Sequence, residues 1–194
     1  SNNTAGGAAI LDLEYTRSRI GGCGELSLTA TRERASGHAV ALGDLIEVWT
    51  SSTDETSARR YRGMIVSRDT NVDRGTMQVN AIGFWDQFKW AMIVNYIELT
   101  DVEAVVADIW GDMKAQTWCE SSGSISIASP ATLGDVECTF QDAASLIEKL
   151  AEIQGGVDYG VDEDGVFYFE DSTTTKQGHF QIGRNVTDMS ITER

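Results

Sequence analysis

The sequence predicts a mainly β protein with an α+β part: a small antiparallel β-barrel, followed by a two-helix α+β unit that carries a β-hairpin. Three observations point there. Five short segments of alternating polarity, separated by turn residues, occupy the first half of the 194 residues. Two stretches of helical period, each with a start signal, occupy the second half. The charge also steps between the halves. Through Asn95 ten basic residues face eleven acidic ones; from Tyr96 onward five face nineteen, a net of −14 within an overall −15. The expected organisation is an antiparallel β-barrel domain over residues 1–95 and an α+β domain over 96–175. Residues 176–194 would start a further barrel or form a C-terminal strand segment.

The five barrel strands are expected at residues 8–15, 24–31, 39–50, 59–68 and 75–82. In the last, Met77, Val79 and Ala81 alternate with Gln78 and Asn80, the period of two that half-buries a strand. Gly21-Gly22, Ser36-Gly37, residues 51–57 and Asp73-Arg74-Gly75 supply turns. Phe84, Trp85, Phe88 and Trp90 then break the alternation. Their spacing predicts a short helical plug closing one end of the barrel.

The second half opens on Thr100-Asp101-Val102-Glu103, a capping-box pattern in which threonine and glutamate would satisfy orphan backbone donors. Val102, Val105, Val106, Ile109, Trp110 and Met113 follow as one apolar stripe. Thr139-Phe140-Gln141-Asp142 reads as a second, weaker box ahead of an apolar face of Ala143, Leu146, Ile147, Leu150, Ala151 and Ile153, and Gly155-Gly156 stop that helix. Trp110 and Leu150, each in mid-stripe, are expected to share one core. A short strand is expected near residues 124–128. Residues 157–161 and 166–169 flank Asp162-Glu163-Asp164-Gly165 as a hairpin, and residues 171–178 read as a linker.

Composition excludes several function classes. An excess of carboxylates opposes binding to a phosphate backbone, which needs clustered Lys and Arg. No stretch approaches the roughly 18 apolar residues of a membrane helix. Residues 1–7 lack the charged start and apolar run of a signal peptide. Cys23, Cys119 and Cys138 are odd in number and scattered, so a reduced compartment is expected, with a Cys119–Cys138 bridge left open.

The search for chemistry finds no catalytic, cofactor-binding or metal residue to nominate. His38 and His179 sit in turn or linker contexts without partners and read as surface histidines. Gly21-Gly22-Cys23-Gly24 lacks the lysine and following helix of a phosphate cradle and reads as a loop between strands. Aligned as a calcium loop, Asp162-Glu163-Asp164-Gly165 would place Gly160 first and Asp171 twelfth, where Asp and Glu are wanted; a hairpin tip is the expectation. Asn185-Val186-Thr187 matches a glycosylation acceptor. A carboxylate pair for glycoside hydrolysis stays open, because such a pair meets only in space.

The order of elements resembles a known family. Gly43-Asp44-Leu45-Ile46-Glu47-Val48, Arg60-Tyr61-Arg62-Gly63-Met64-Ile65 and Val79-Asn80-Ala81-Ile82-Gly83-Phe84-Trp85 look like successive barrel strands and the aromatic exit of the amino-terminal portion of bacteriophage tail-hub (baseplate hub, late-control) proteins. Residues 139–156 and the hairpin through Phe169 resemble that family's helix and hairpin. Phe180-Gln181-Ile182-Gly183-Arg184-Asn185-Val186 looks like the opening of its second barrel. The resemblance implies a non-enzymatic structural component of a phage or phage-like tail, without cofactor, assembled in the bacterial host cytoplasm and residing in the virion tail. It implies a homo-oligomer, a trimeric ring joining the tail tube to the tip or spike proteins. It also implies that the sequence stops as a second barrel starts, as a fragment or a short form. Arg59, Arg60 and Arg62, in the nearly neutral half, are the expected contact surface. A β-sandwich binding module, for carbohydrate among other ligands, is the alternative from another class.

Overall fold

The computed structural model describes residues 10–31, 40–51, 57–97, 101–120 and 123–172. His38, His179, the Asn185 acceptor, the third expected segment at 176–194 and residues 1–7 lie outside them.

The first half is the expected antiparallel sheet. β1 (Ile10–Arg17) and β2 (Ile20–Thr31) pair with each other, and β3 (Leu45–Ser51), β4 (Ser57–Asn71) and β5 (Thr76–Gly83) form a meander. β5 joins the two groups by pairing with β2. The spatial order is therefore β1-β2-β5-β4-β3, and the connection from β2 to β3 crosses from one side to the other. The sheet curls around Leu26, Ile65, Val79, Ala81, Cys23 and Tyr61. Tyr61 is fully buried, and its hydroxyl donates to the Gly24 carbonyl at 2.9 Å, so this buried phenol keeps a partner. Among the described residues β1 and β3 do not pair, which makes the barrel a curled half-barrel.

The plug differs from expectation. Phe84–Lys89 is a 3-10 helix, but Phe84, Trp85 and Phe88 pack into the second half's core, not the half-barrel's. The turn that leaves β5 delivers its aromatics to the other core. An unforeseen strand follows, β6 (Met92–Ile97), which pairs with β8 (Val136–Asp142).

Helices α1 (Val102–Met113) and α2 (Ala143–Gln154) fall where the apolar stripes put them, except that Ile153, expected on the buried face of α2, is exposed in its last turn. Their caps do not. Asp101 caps α1 by accepting from the Ala104 N–H at 2.9 Å, and Glu103 instead accepts from the Ile127 N–H at 3.0 Å. Asp142 caps α2 by accepting from the Ser145 N–H at 2.8 Å; Thr139, Phe140 and Gln141 end strand β8. In both cases aspartate, not the expected threonine, holds the N-cap. Trp110 and Leu150 do share one core, with the Trp110 indole stacked on Phe167 at 5.0 Å.

β7 (Gly123–Ser126), β9 (Val157–Val161) and β10 (Phe167–Asp171) complete the chain's described part. β10 pairs antiparallel with β9 and parallel with β7. Sheet pairing crosses the expected domain boundary: Ile20, Gly21 and Gly22 of β2 pair parallel with Tyr159, Gly160 and Val161 of β9. Gly21-Gly22-Cys23-Gly24 is thus strand, not loop. The glycines are needed for close approach, since a Cβ on Gly22 would lie 1.8 Å from the Val161 carbonyl oxygen. The hydrophobic core divides into two clusters while the hydrogen-bonded sheet runs through both. One continuous curled sheet plus a two-stranded one is not the pair of facing sheets that defines a sandwich.

Candidate functional site

The β2–β9 seam is also where the charges meet. Arg17 and Glu163 approach to 2.6 Å, and Arg19 and Asp158 to 3.6 Å. From β4, Arg59 reaches Asp164 at 3.1 Å and donates to the Glu163 carbonyl at 3.3 Å. Arg62 reaches Glu120 at 2.9 Å and donates to the Asp164 carbonyl at 3.1 Å. Glu47 of β3 lies 3.5 Å from Arg59 and 3.3 Å from Arg62, while their guanidinium carbons sit over the Trp49 and Phe84 rings. Cations of the neutral half therefore neutralise carboxylates of the acidic half.

That arrangement corrects the expected contact surface. Arg59 and Arg62 are committed inside the molecule, their side chains only 20% and 15% exposed. Arg60 alone of the three is exposed, with its Nε donating to Thr50 Oγ1 at 3.0 Å. A bulge explains the split: pairing passes from Val48↔Tyr61 to Trp49↔Arg59, so Arg60 is the extra residue and Arg59 and Arg62 come to lie opposite Trp49 and Glu47, two apart on β3 and so on one face.

Asp162-Glu163-Asp164-Gly165 is a hairpin tip. Asp162 Oδ1 accepts from the Asp164 and Val166 N–H groups, both at 2.9 Å, and so shapes the turn. Glu163 and Asp164 face Arg17 and Arg59. Among the described residues no group of three His, Cys, Asp or Glu converges as a metal site.

The thiols are placed against nucleophilic chemistry. Cys23 lies in the half-barrel core and Cys138 on the inner face of β8, and burial pushes both thiols up. Burial pushes the Cys119 thiol up to about 12. A thiolate nucleophile needs the opposite environment, an electropositive and accessible one. All three cysteines are free. An open cleft of about 860 Å³ runs beside the seam between Arg17, Arg19, Asp158 and Tyr168. The Tyr168 hydroxyl donates to the Arg19 carbonyl at 2.8 Å, and burial raises its phenol. These polar groups are turned on one another, an arrangement that ties strands together.

Sequence reasoning missed Arg17, Glu47 and Glu120 as members of this network. Their partners lie as far as 146 positions away in the chain, from Arg17 to Glu163, and no local pattern marks them.

A curled half-barrel whose sheet runs into an α+β unit is tied together by ion pairs across the seam. The fold is that of bacteriophage tail proteins. The chain matches the 43 kDa tail protein of prophage MuSo2 from Shewanella oneidensis with a TM-score of 0.62 and 14% identity, over 93% of this chain and 60% of that one. It matches the tail protein from Neisseria meningitidis MC58 with a TM-score of 0.52 and 9% identity, over 75% of this chain and 41% of that one. A third match is the Escherichia coli c3393 protein, a component of the type VI secretion system with structural similarity to the T4 tail proteins gp27 and gp5. There the TM-score is 0.52 and the identity 13%, over 84% of this chain and 48% of that one. The chain thus spans about half the length of these proteins. No family model and no curated protein matches the sequence.

Proposed function

We propose that this chain is a non-enzymatic structural component of a phage or phage-like tail, specifically a hub subunit joining the tail tube to the tip or spike. The observation that carries the reading is the fold likeness to the MuSo2 tail protein over 93% of the chain. Residues 1–95 act as the barrel domain and 96–175 as the α+β domain. The Gly22–Val161 pairing and the arginine network tie the two together, as a junction between tail parts requires. The whole protein forms a trimeric ring.

The test is immunogold labelling, with antibodies to this chain, of tail particles purified from the source bacterium, combined with sedimentation of the whole protein. Label confined to the tip end of the tube and a trimeric mass support the hub. Label along the tube or at the baseplate periphery overturns the hub position, and unlabelled tails overturn the tail role. A monomer at micromolar concentration removes the ring.

A further inference from the structure

The two-stranded sheet of β6 and β8 carries an apolar face that no described residue covers. Ile93 of β6 is buried, while Met92 and Val94 point the other way, exposed at 45% and 59%. β8 should alternate to match. Cys138 is buried, so Thr139 should point out and Phe140 in. A bulge reverses this. Pairing jumps from Ile93↔Gln141 to Asn95↔Cys138, so Val94 alone opposes both Thr139 and Phe140. Phe140 adopts φ +49°, and among the described residues no other non-glycine has positive φ. Its side chain ends 72% exposed, near the outward Val94. Trp90, which ends the 3-10 helix just before β6, is 62% exposed.

Neither local preference nor folding accounts for Phe140. Crowding of Cβ against the carbonyl disfavours the left-handed region for a bulky residue, and an exposed ring gains no burial in return. Strain of this kind, with a bulge that turns an aromatic outward, collects where a protein meets something else. We infer that Trp90, Met92, Val94 and Phe140 form a docking face for an extended apolar segment of a partner protein, bordered by lysines or arginines.

The charge around the face selects that occupant. Glu137 lies exposed on the same strand as Phe140, and Asp142 stands opposite Met92. Lys89, beside Trp90, is held in the field of Asp86, Glu148 and Asp142, and Lys149 donates to Gln141 at 3.3 Å. Carboxylates outnumber cations around the apolar centre. A second copy docking through the same face would set Glu137 and Asp142 against their own counterparts, which costs affinity. A basic border on the partner meets them with opposite charge.

The experiment is fluorescence anisotropy with four labelled peptides: alternating Val and Lys, alternating Ser and Lys, alternating Val and Glu, and residues 173–194 of this chain. Each is titrated with the wild-type chain and with Phe140→Gly, which takes φ +49° freely and changes no charge. The expected result is that the Val/Lys peptide binds at least about tenfold tighter than the Ser/Lys and Val/Glu peptides. Phe140→Gly should lose about tenfold for Val/Lys while melting no lower than wild type. Equal binding by the wild type and Phe140→Gly, or no binding, overturns the proposal. So does a lower melting temperature with binding retained, which would make Phe140 structural. Phe140-dependent binding of the 173–194 peptide alone, or a dimer in sedimentation that Phe140→Gly abolishes, overturns it in favour of the chain's own segment or a second copy.

Discussion

Substituting Gly22 by alanine isolates the seam between the two cores. Gly22 has φ +76°, and its missing Cβ would fall 1.8 Å from the Val161 carbonyl oxygen and 2.9 Å from the Val161 nitrogen. Gly155, the C-cap of α2, has a similar φ of +66° with no atom within 4 Å of its missing Cβ. Both positions carry a positive-φ penalty, about 1–2 kcal/mol for a non-glycine residue, and of the two only Gly22 also lacks room for a Cβ. At Gly22 the strand must also withdraw from β9 by about 1 Å, which breaks the parallel pairing of Ile20, Gly21 and Gly22 with Tyr159, Gly160 and Val161. Two or three backbone hydrogen bonds at roughly 1 kcal/mol net each add about 2–3 kcal/mol. Gly22→Ala should then lose about 3–5 kcal/mol and Gly155→Ala about 1–2 kcal/mol. Urea unfolding followed by tryptophan fluorescence and far-ultraviolet circular dichroism measures both, and non-coincident transitions in Gly22→Ala would report uncoupling of the two cores. Equal destabilisation of the two variants, within about 0.5 kcal/mol, would refute the argument that backbone approach at the seam demands glycine.

Two further outcomes follow from the cores. Trp110→Ala removes an indole that is 7% exposed and stacked on Phe167, and should cost about 3–5 kcal/mol. Ile153→Ala, on the 57%-exposed side of α2, should change stability by no more than about 0.5 kcal/mol; similar urea midpoints for the two variants would contradict the burial assigned to Trp110. Burial raises the Tyr61 phenol above its ordinary value. The unfolded phenol ionises near about pH 10 while the native one stays protonated, so the native state binds more protons there. Its contribution is complete below about pH 10 and is lost as pH rises towards the folded value, by up to about 1.4 kcal/mol per pH unit. Tyr61→Phe should be less stable than wild type by about 1 kcal/mol at pH 8, with the gap closing in the alkaline limb. A constant gap from pH 8 to 11.5 would rule the phenol out as its cause.

How far the elements were legible follows from the range of the forces that make them. Val79 and Ala81 alternate because a strand with one buried face needs a period of two, and that is visible in any few consecutive residues. The stripe from Val102 to Met113 is as local. The caps were misplaced by one and three residues because threonine and aspartate both offer an acceptor. Only the turn geometry chooses between them, as Asp142 shows by ending a strand and starting a helix at once. β6 is invisible to local pattern because its pairing with β8 spans 39 to 50 residues, and Phe84 to Phe88 join the other core because aromatic spacing does not state which core it will meet.

The sequence alone determined that the chain is β-rich first and helical second, that Trp110 and Leu150 share a core, and that Asp162 to Gly165 turn a hairpin. Propensity, amphipathic period and turn chemistry act over a few residues and are written in order along the chain. Only the tertiary structure decided that Gly21 and Gly22 are strand, that Arg59 and Arg62 are turned inward onto the hairpin tip, and that a bulge turns Phe140 out. Each of these depends on two segments meeting across tens of residues or more. Backbone approach, desolvated charge pairing and register act through space, so their outcome follows from which segments meet and not from the order in which they are written.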